Sequence, residues 1–220
     1  VVTARNSEAA FAGLLQQLSS RTQAAHLNVL AYSAGAMIAS PGLARAADDT
    51  AASADPVRLR LGEVYYAAPD IDLPVFVDNL PRYQDQVRRV TVAVNLSDRA
   101  LSFAQWVHRV SRAGRPNLAD IGPEETRWLV EASGRQELDV LSISAEDLPG
   151  LPADSHSFWY DHPWVSSDVL LKLRFHAPPP ARGLNPNSTD IELAFWTFPA
   201  DYPQRLPAVV RELAAGQPAS

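Results

Sequence analysis

The stretch His26-Leu27-Asn28-Val29-Leu30-Ala31-Tyr32-Ser33-Ala34-Gly35-Ala36-Met37-Ile38-Ala39 decides how the chain reads. Its first half is a short apolar run, the pattern of a buried strand. Its second half follows without a break and reads as a helix, until Pro41-Gly42 disturbs it. The junction, Ala31-Tyr32-Ser33-Ala34-Gly35, has the form small-x-Ser-x-Gly. A serine hydroxyl is too weakly acidic to attack unaided and must be exposed to a base. A sharp strand-to-helix turn exposes it, and small residues at Ala31 and Gly35 let the two backbones approach. The turn also sets the Ala34 N–H at a helix N-terminus, where it can donate to a developing oxyanion. The competing reading is a helix-capping serine beside an ordinary glycine. The strand before Ser33 and the helix after it favour the nucleophile turn.

Outward from this turn, strands and helices alternate. Asn6 or Ser7 caps a first helix whose Phe11, Leu14, Leu15 and Leu18 form one apolar stripe. Further strands are expected at residues 62–68, 90–95 and 138–144. Helices are expected near 99–110, 123–132 and 165–175, with a stretch split by Pro74 and Pro81 between the second and third strands. Pro178-Pro179-Pro180 is a break. A strand over 191–198 and a helix over 204–215 close the chain. This order predicts an α/β fold with a mostly parallel sheet flanked by helices. Residues 1–176 form its core, and 177–220 add a proline-rich linker, an extra strand and a C-terminal helix.

Composition narrows the chemistry. The chain has 220 residues, 46% hydrophobic and 20% charged, enough for a sizeable core. A net charge of −6, with no cluster of basic residues denser than Arg88-Arg89, provides no field for nucleic acid or an anionic membrane. Without cysteine there is no thiolate catalysis, no disulfide and no Cys-ligated metal. No apolar run approaches the ~20 residues of a membrane span, and residues 1–5 do not resemble a signal peptide. The glycine-rich phosphate loops are absent. His156, Asp161 and His162 match no common metal spacing, so neither a metal nor another cofactor is expected. Among the 19 basic residues Lys172 is the sole lysine, a bias consistent with a GC-rich genome.

In an open parallel sheet, functional groups gather beyond the carboxyl ends of the strands. Ser33 follows the first strand, Asp70 the second, Asp98 the third, and His156 lies in the loop after the fourth. These are the parts of a Ser-His-acid site in the order nucleophile, acid, histidine. Of the five histidines, His156 alone sits in a long loop after a strand. Asp98 follows the strand just before the histidine-bearing unit, the more usual arrangement in such folds. Asp70 remains the alternative acid. The aromatics Phe158, Trp159, Tyr160 and Trp164 beside His156 can line an apolar acyl pocket, or can be ordinary packing.

Leu27 to Ala36, Val64 to Asp72, Val90 to Leu101 and Ser155 to Tyr160 together resemble an uncharacterised bacterial branch of the α/β-hydrolase superfamily, domain of unknown function 900. The resemblance runs over roughly residues 6–176. It implies an α/β-hydrolase fold and a Ser33-Asp98-His156 triad. By analogy it implies a serine esterase or lipase-like enzyme acting on a small-molecule ester, without cofactor. In such turns the residue before the nucleophile is often histidine and the one after it often methionine; here they are Tyr32 and Ala34. Members also place several strands ahead of the nucleophile strand, one of whose loops supplies the second oxyanion N–H. Those N-terminal strands are expected to be missing here, which would make the chain the C-terminal part of a larger domain. The alternative is a non-catalytic module of the same fold that binds a ligand or partner protein.

Overall fold

All seven residues of β2 (Leu61–Ala67) are buried, as a parallel strand covered on both faces requires. β2 pairs on one side with β1 (Leu27–Tyr32) and on the other with β3 (Arg89–Val94), both parallel. The computed structural model describes residues 2–53, 59–94, 122–135, 137–152 and 155–216. Among these the sheet has six strands in the order β1-β2-β3-β4-β6-β5. β4 (Leu138–Ser142) is parallel to β3 and to β6 (Ala194–Thr197). β5 (Asn185–Ser188) is the antiparallel edge. The mostly parallel α/β sheet expected from the element order is therefore present, and residues 185–188 and 194–197 belong to that same sheet.

Strand alternation assigns the two faces. Val64 and Tyr66 of β2, with Val90 and Val92 of β3, face one core together with α1 (Val2–Arg21), α2 (Ala36–Ala52), α3 (Leu73–Tyr83) and α4 (Pro123–Gly134). Tyr65, Ala67, Ala93 and Leu141 face the other core. It is completed by α5 (Phe158–Asp161), α6 (Pro163–Phe175) and α7 (Tyr202–Ala215). The result is helix, sheet, helix.

Several local expectations shift. α1 starts at Val2, before the cap expected at Asn6 or Ser7. Its inward face is Ala12, Leu15 and Ser19, spaced 3 and 4, which turns Leu14 outward at 49% exposure. Pro41-Gly42 does not end α2, which runs on to Ala52. Pro41 forgoes one backbone bond, but Ala39, Leu43, Ala46 and Ala47 hold the helix against the core. Gly42 lies under α1, where a Cβ would meet Phe11 Cδ1 at 2.7 Å and the Glu8 carbonyl at 3.2 Å. It permits a close helix crossing rather than a turn.

The β1–β2 ladder slips between Leu27 and Val29. Asn28 fills the slip, accepting the Glu63 N–H at 2.8 Å and donating to the Leu173 carbonyl at 2.9 Å. Gly62 makes room for that carboxamide, since a Cβ would collide with Asn28 Oδ1.

Beneath α6 lies a buried ionic network. Lys172 Nζ is 2.8 Å from Glu63 and 3.4 Å from Asp139. Arg182 binds Asp168 at 2.6 Å, and Arg89 binds Asp139 at 2.8 Å. His176 caps α6 in the left-handed region, φ 55°, with Nδ1 3.2 Å from Glu63. Burial lowers its pKa, with Arg88 and His26 adding to the effect and Glu63 opposing it. The folded protein therefore takes up that proton less readily than the unfolded chain. Stability is expected to be full above the ordinary imidazole range, about pH 6.5, and to fall as the pH drops below it. His176→Asn keeps a residue that tolerates positive φ. It is expected to flatten the loss between about pH 7 and about pH 5, read by thermal unfolding.

Candidate active site

β1 delivers Ser33 to the carboxyl end of the sheet. Tyr32 is still extended, at φ −110° and ψ 132°. Ser33 then takes φ 51°, a left-handed conformation that a non-glycine residue adopts only where the surroundings enforce it. Residues 33–35 form one 3₁₀ turn, and α2 follows directly. The segment after the neighbouring β2 braces the turn: the chain leaves the strand through Ala68, φ 44°, and the Asp70 N–H donates to the Ser33 carbonyl at 3.0 Å.

The reason expected for Gly35 does not hold. Its φ is −59°, ordinary for a helix, and among the described residues a Cβ there would meet nothing within 4 Å. Ala31, two residues before Ser33, is buried at 4%. Ala34 is exposed in the turn at the head of α2.

His156 reaches Ser33 from across the sheet. The loop after β4 is pinned by Leu148 and Leu151, and beyond the histidine by Phe158, buried at 1% in the α6-side core. The Ser157 carbonyl accepts from the N–H groups of Tyr160 and Asp161, both at 3.1 Å, which starts α5. His156 Nε2 lies 2.7 Å from Ser33 Oγ, across 123 residues of sequence. With the imidazole proton on Nδ1, Nε2 accepts the serine O–H, the geometry of a nucleophile and its base.

Aromatic side chains surround this contact. The Tyr32 ring lies 5.2 Å from the His156 ring, 5.7 Å from Trp159 and 6.1 Å from Tyr160. Trp159 and Tyr160 meet edge to face at 5.1 Å. Burial, then the neighbouring Tyr160 and Asp161, raise the Tyr32 pKa. The sequence marks this cluster through Trp159 and Tyr160 but not through Tyr32. An aromatic directly before the nucleophile is the signal that could have added it.

The structure thus brings Ser33 and His156 together and sets the Asp70 backbone against the Ser33 turn. Asp98 and the helix expected over 99–110 lie outside the described residues. Among those described, no group of His, Asp or Glu is arranged to hold a metal ion, and no helix is long and apolar enough to cross a membrane.

A parallel sheet between two helical layers, with a strained serine at the end of a strand and a histidine on its hydroxyl, defines the α/β-hydrolase class. A family model described as alpha/beta hydrolase of unknown function (DUF900) matches residues 3–159, and the chain belongs to that family. No curated protein and no solved structure matches the chain.

Proposed function

We propose that this protein is a serine hydrolase of carboxylic esters. The observation that carries the reading is the 2.7 Å contact between His156 Nε2 and a Ser33 hydroxyl held on a left-handed turn. Ser33 Oγ attacks the ester carbonyl carbon as its proton passes to His156 Nε2. The Ala34 N–H donates to the oxyanion that forms. As the tetrahedral intermediate collapses, the C–O bond to the alcohol breaks, and His156 returns the proton to the departing oxygen. Water, deprotonated by the same imidazole, then cleaves the acyl-Ser33 ester. Asp98 is the acid that orients the imidazole and stabilises the imidazolium, with Asp70 the alternative.

The test is covalent labelling by a fluorophosphonate probe. The intact protein is expected to be labelled at Ser33, and Ser33→Ala is expected to escape. A correctly folded protein that stays unlabelled and turns over no short-chain p-nitrophenyl ester would overturn the reading. Ligand or partner binding indifferent to Ser33→Ala would then favour a non-catalytic module.

A further inference from the structure

The base of a hydrolase must be held within hydrogen-bond reach of its nucleophile, and a loss of about 1 Å in placement is costly in rate. His156 is itself exposed, two residues before α5. Among the described residues, its side chain meets the Ser33 hydroxyl and the Tyr32 ring. Tyr32 is fixed differently. It is the last residue of β1, its backbone pairs with Ala67 of β2, and its ring packs against the α6-side core. It also contacts Trp159 and Tyr160, the second and third residues of α5, which begins two residues beyond His156. One ring therefore joins the strand that carries Ser33 to the histidine and to the helix that follows it.

We propose that Tyr32 is a positioning residue for His156, acting through ring-to-ring contact, with Trp159 and Tyr160 locking the histidine loop to it. The inference rests on the reading of Ser33 and His156 as nucleophile and base. Tyr32 does not touch the reacting atoms in this role; it limits the rotamers open to the imidazole. The role follows from ring-to-ring contact, so phenylalanine preserves it and an aliphatic side chain of similar bulk does not. An acyl-binding wall would behave otherwise: its loss would raise KM, and more so for longer acyl chains.

The experiment compares the wild-type protein with Tyr32→Phe, Tyr32→Leu and Tyr160→Ala on p-nitrophenyl acetate and butyrate. Tyr32→Leu is expected to lower kcat about tenfold or more on both esters, with KM changed less than about threefold. Tyr32→Phe is expected to stay within about threefold of wild type, and Tyr160→Ala to fall between the two. The His156 Cε1 proton supplies a readout independent of turnover. Its resonance, assigned with His156→Gln, is expected to carry a ring-current shift that Tyr32→Phe keeps and Tyr32→Leu removes. Unchanged kcat in Tyr32→Leu, or a KM effect confined to the longer ester, overturns the proposal. So does an imidazole resonance indifferent to both Tyr32 variants. A wild-type protein that shows the ring-current shift but resists the fluorophosphonate separates failure of the hydrolase reading from failure of the packing.

Discussion

Ser33→Ala is expected to lower kcat on a short p-nitrophenyl ester by about 10⁴-fold or more, because alanine leaves no oxygen to form the acyl-enzyme. His156→Ala is expected to cost about as much. Without a base 2.7 Å away the Ser33 hydroxyl keeps its proton at neutral pH. Ser33→Ala/His156→Ala should be no worse than either single variant, since the two groups act as one unit. Additive losses would mean that each supports turnover separately, and the proposed mechanism would fail. The same assay assigns the acid. Asp98→Ala is expected to cost about 10²-fold or more, and Asp70→Ala far less. The reverse order would move the role to Asp70, whose backbone already holds the Ser33 carbonyl at 3.0 Å. Steady-state kinetics with thermal unfolding as a folding control decides both points.

The strand-to-helix turn at Ser33 was legible because its signals are local. An apolar run, a serine and a helix-forming run stand within a dozen residues, and the backbone has one compact way to join them. That Ser33 and His156 share one end of the sheet followed from strand order, since parallel strands bring their carboxyl ends together whatever the sequence separation. What stayed hidden depends on neighbours distant in the chain. β5, Asn185-Pro186-Asn187-Ser188, is exposed on all four residues and has no apolar alternation to announce a strand. It exists because β6 offers it an edge, and Pro186 suits that position by lacking an N–H. Gly42 looked like part of a helix break and Gly62 like the mere start of a strand; they are points of close approach to Phe11 and to Asn28. The Tyr32 contact depends on the path of the loop after β4, which no spacing rule sets. Lys172 was conspicuous in the sequence as the sole lysine, yet its role belongs to two strands and a helix that the sequence lists far apart.

That role gives the second large effect: Lys172→Met is expected to destabilise the fold by about 3–5 kcal/mol. Lys172 is 0% exposed, and its ammonium sits between Glu63 of β2 and Asp139 of β4, which are themselves buried. Burial lowers its pKa despite the pull of those two carboxylates, the desolvation cost that a buried ion pair carries. Removing the cation is a different matter, because it leaves two carboxylates in a dry interior with one fewer positive neighbour. Arg89 still binds Asp139, but among the described residues the Glu63 carboxylate keeps His176, whose pKa burial lowers. Glu63 should therefore account for most of the loss. The double variant Glu63→Gln/Lys172→Met is expected to recover at least half of it in urea unfolding. Lys172→Arg is expected to fail as well. Its planar fork is larger than an ammonium, and Arg182 already occupies the adjoining space, with Nη1 3.9 Å from Asp139. In a chain whose other basic residues are all arginines, the single lysine stands at a site expected to reject arginine. A Lys172→Met protein as stable as wild type, or a double variant no better than the single one, would show that the carboxylates tolerate burial without the ammonium.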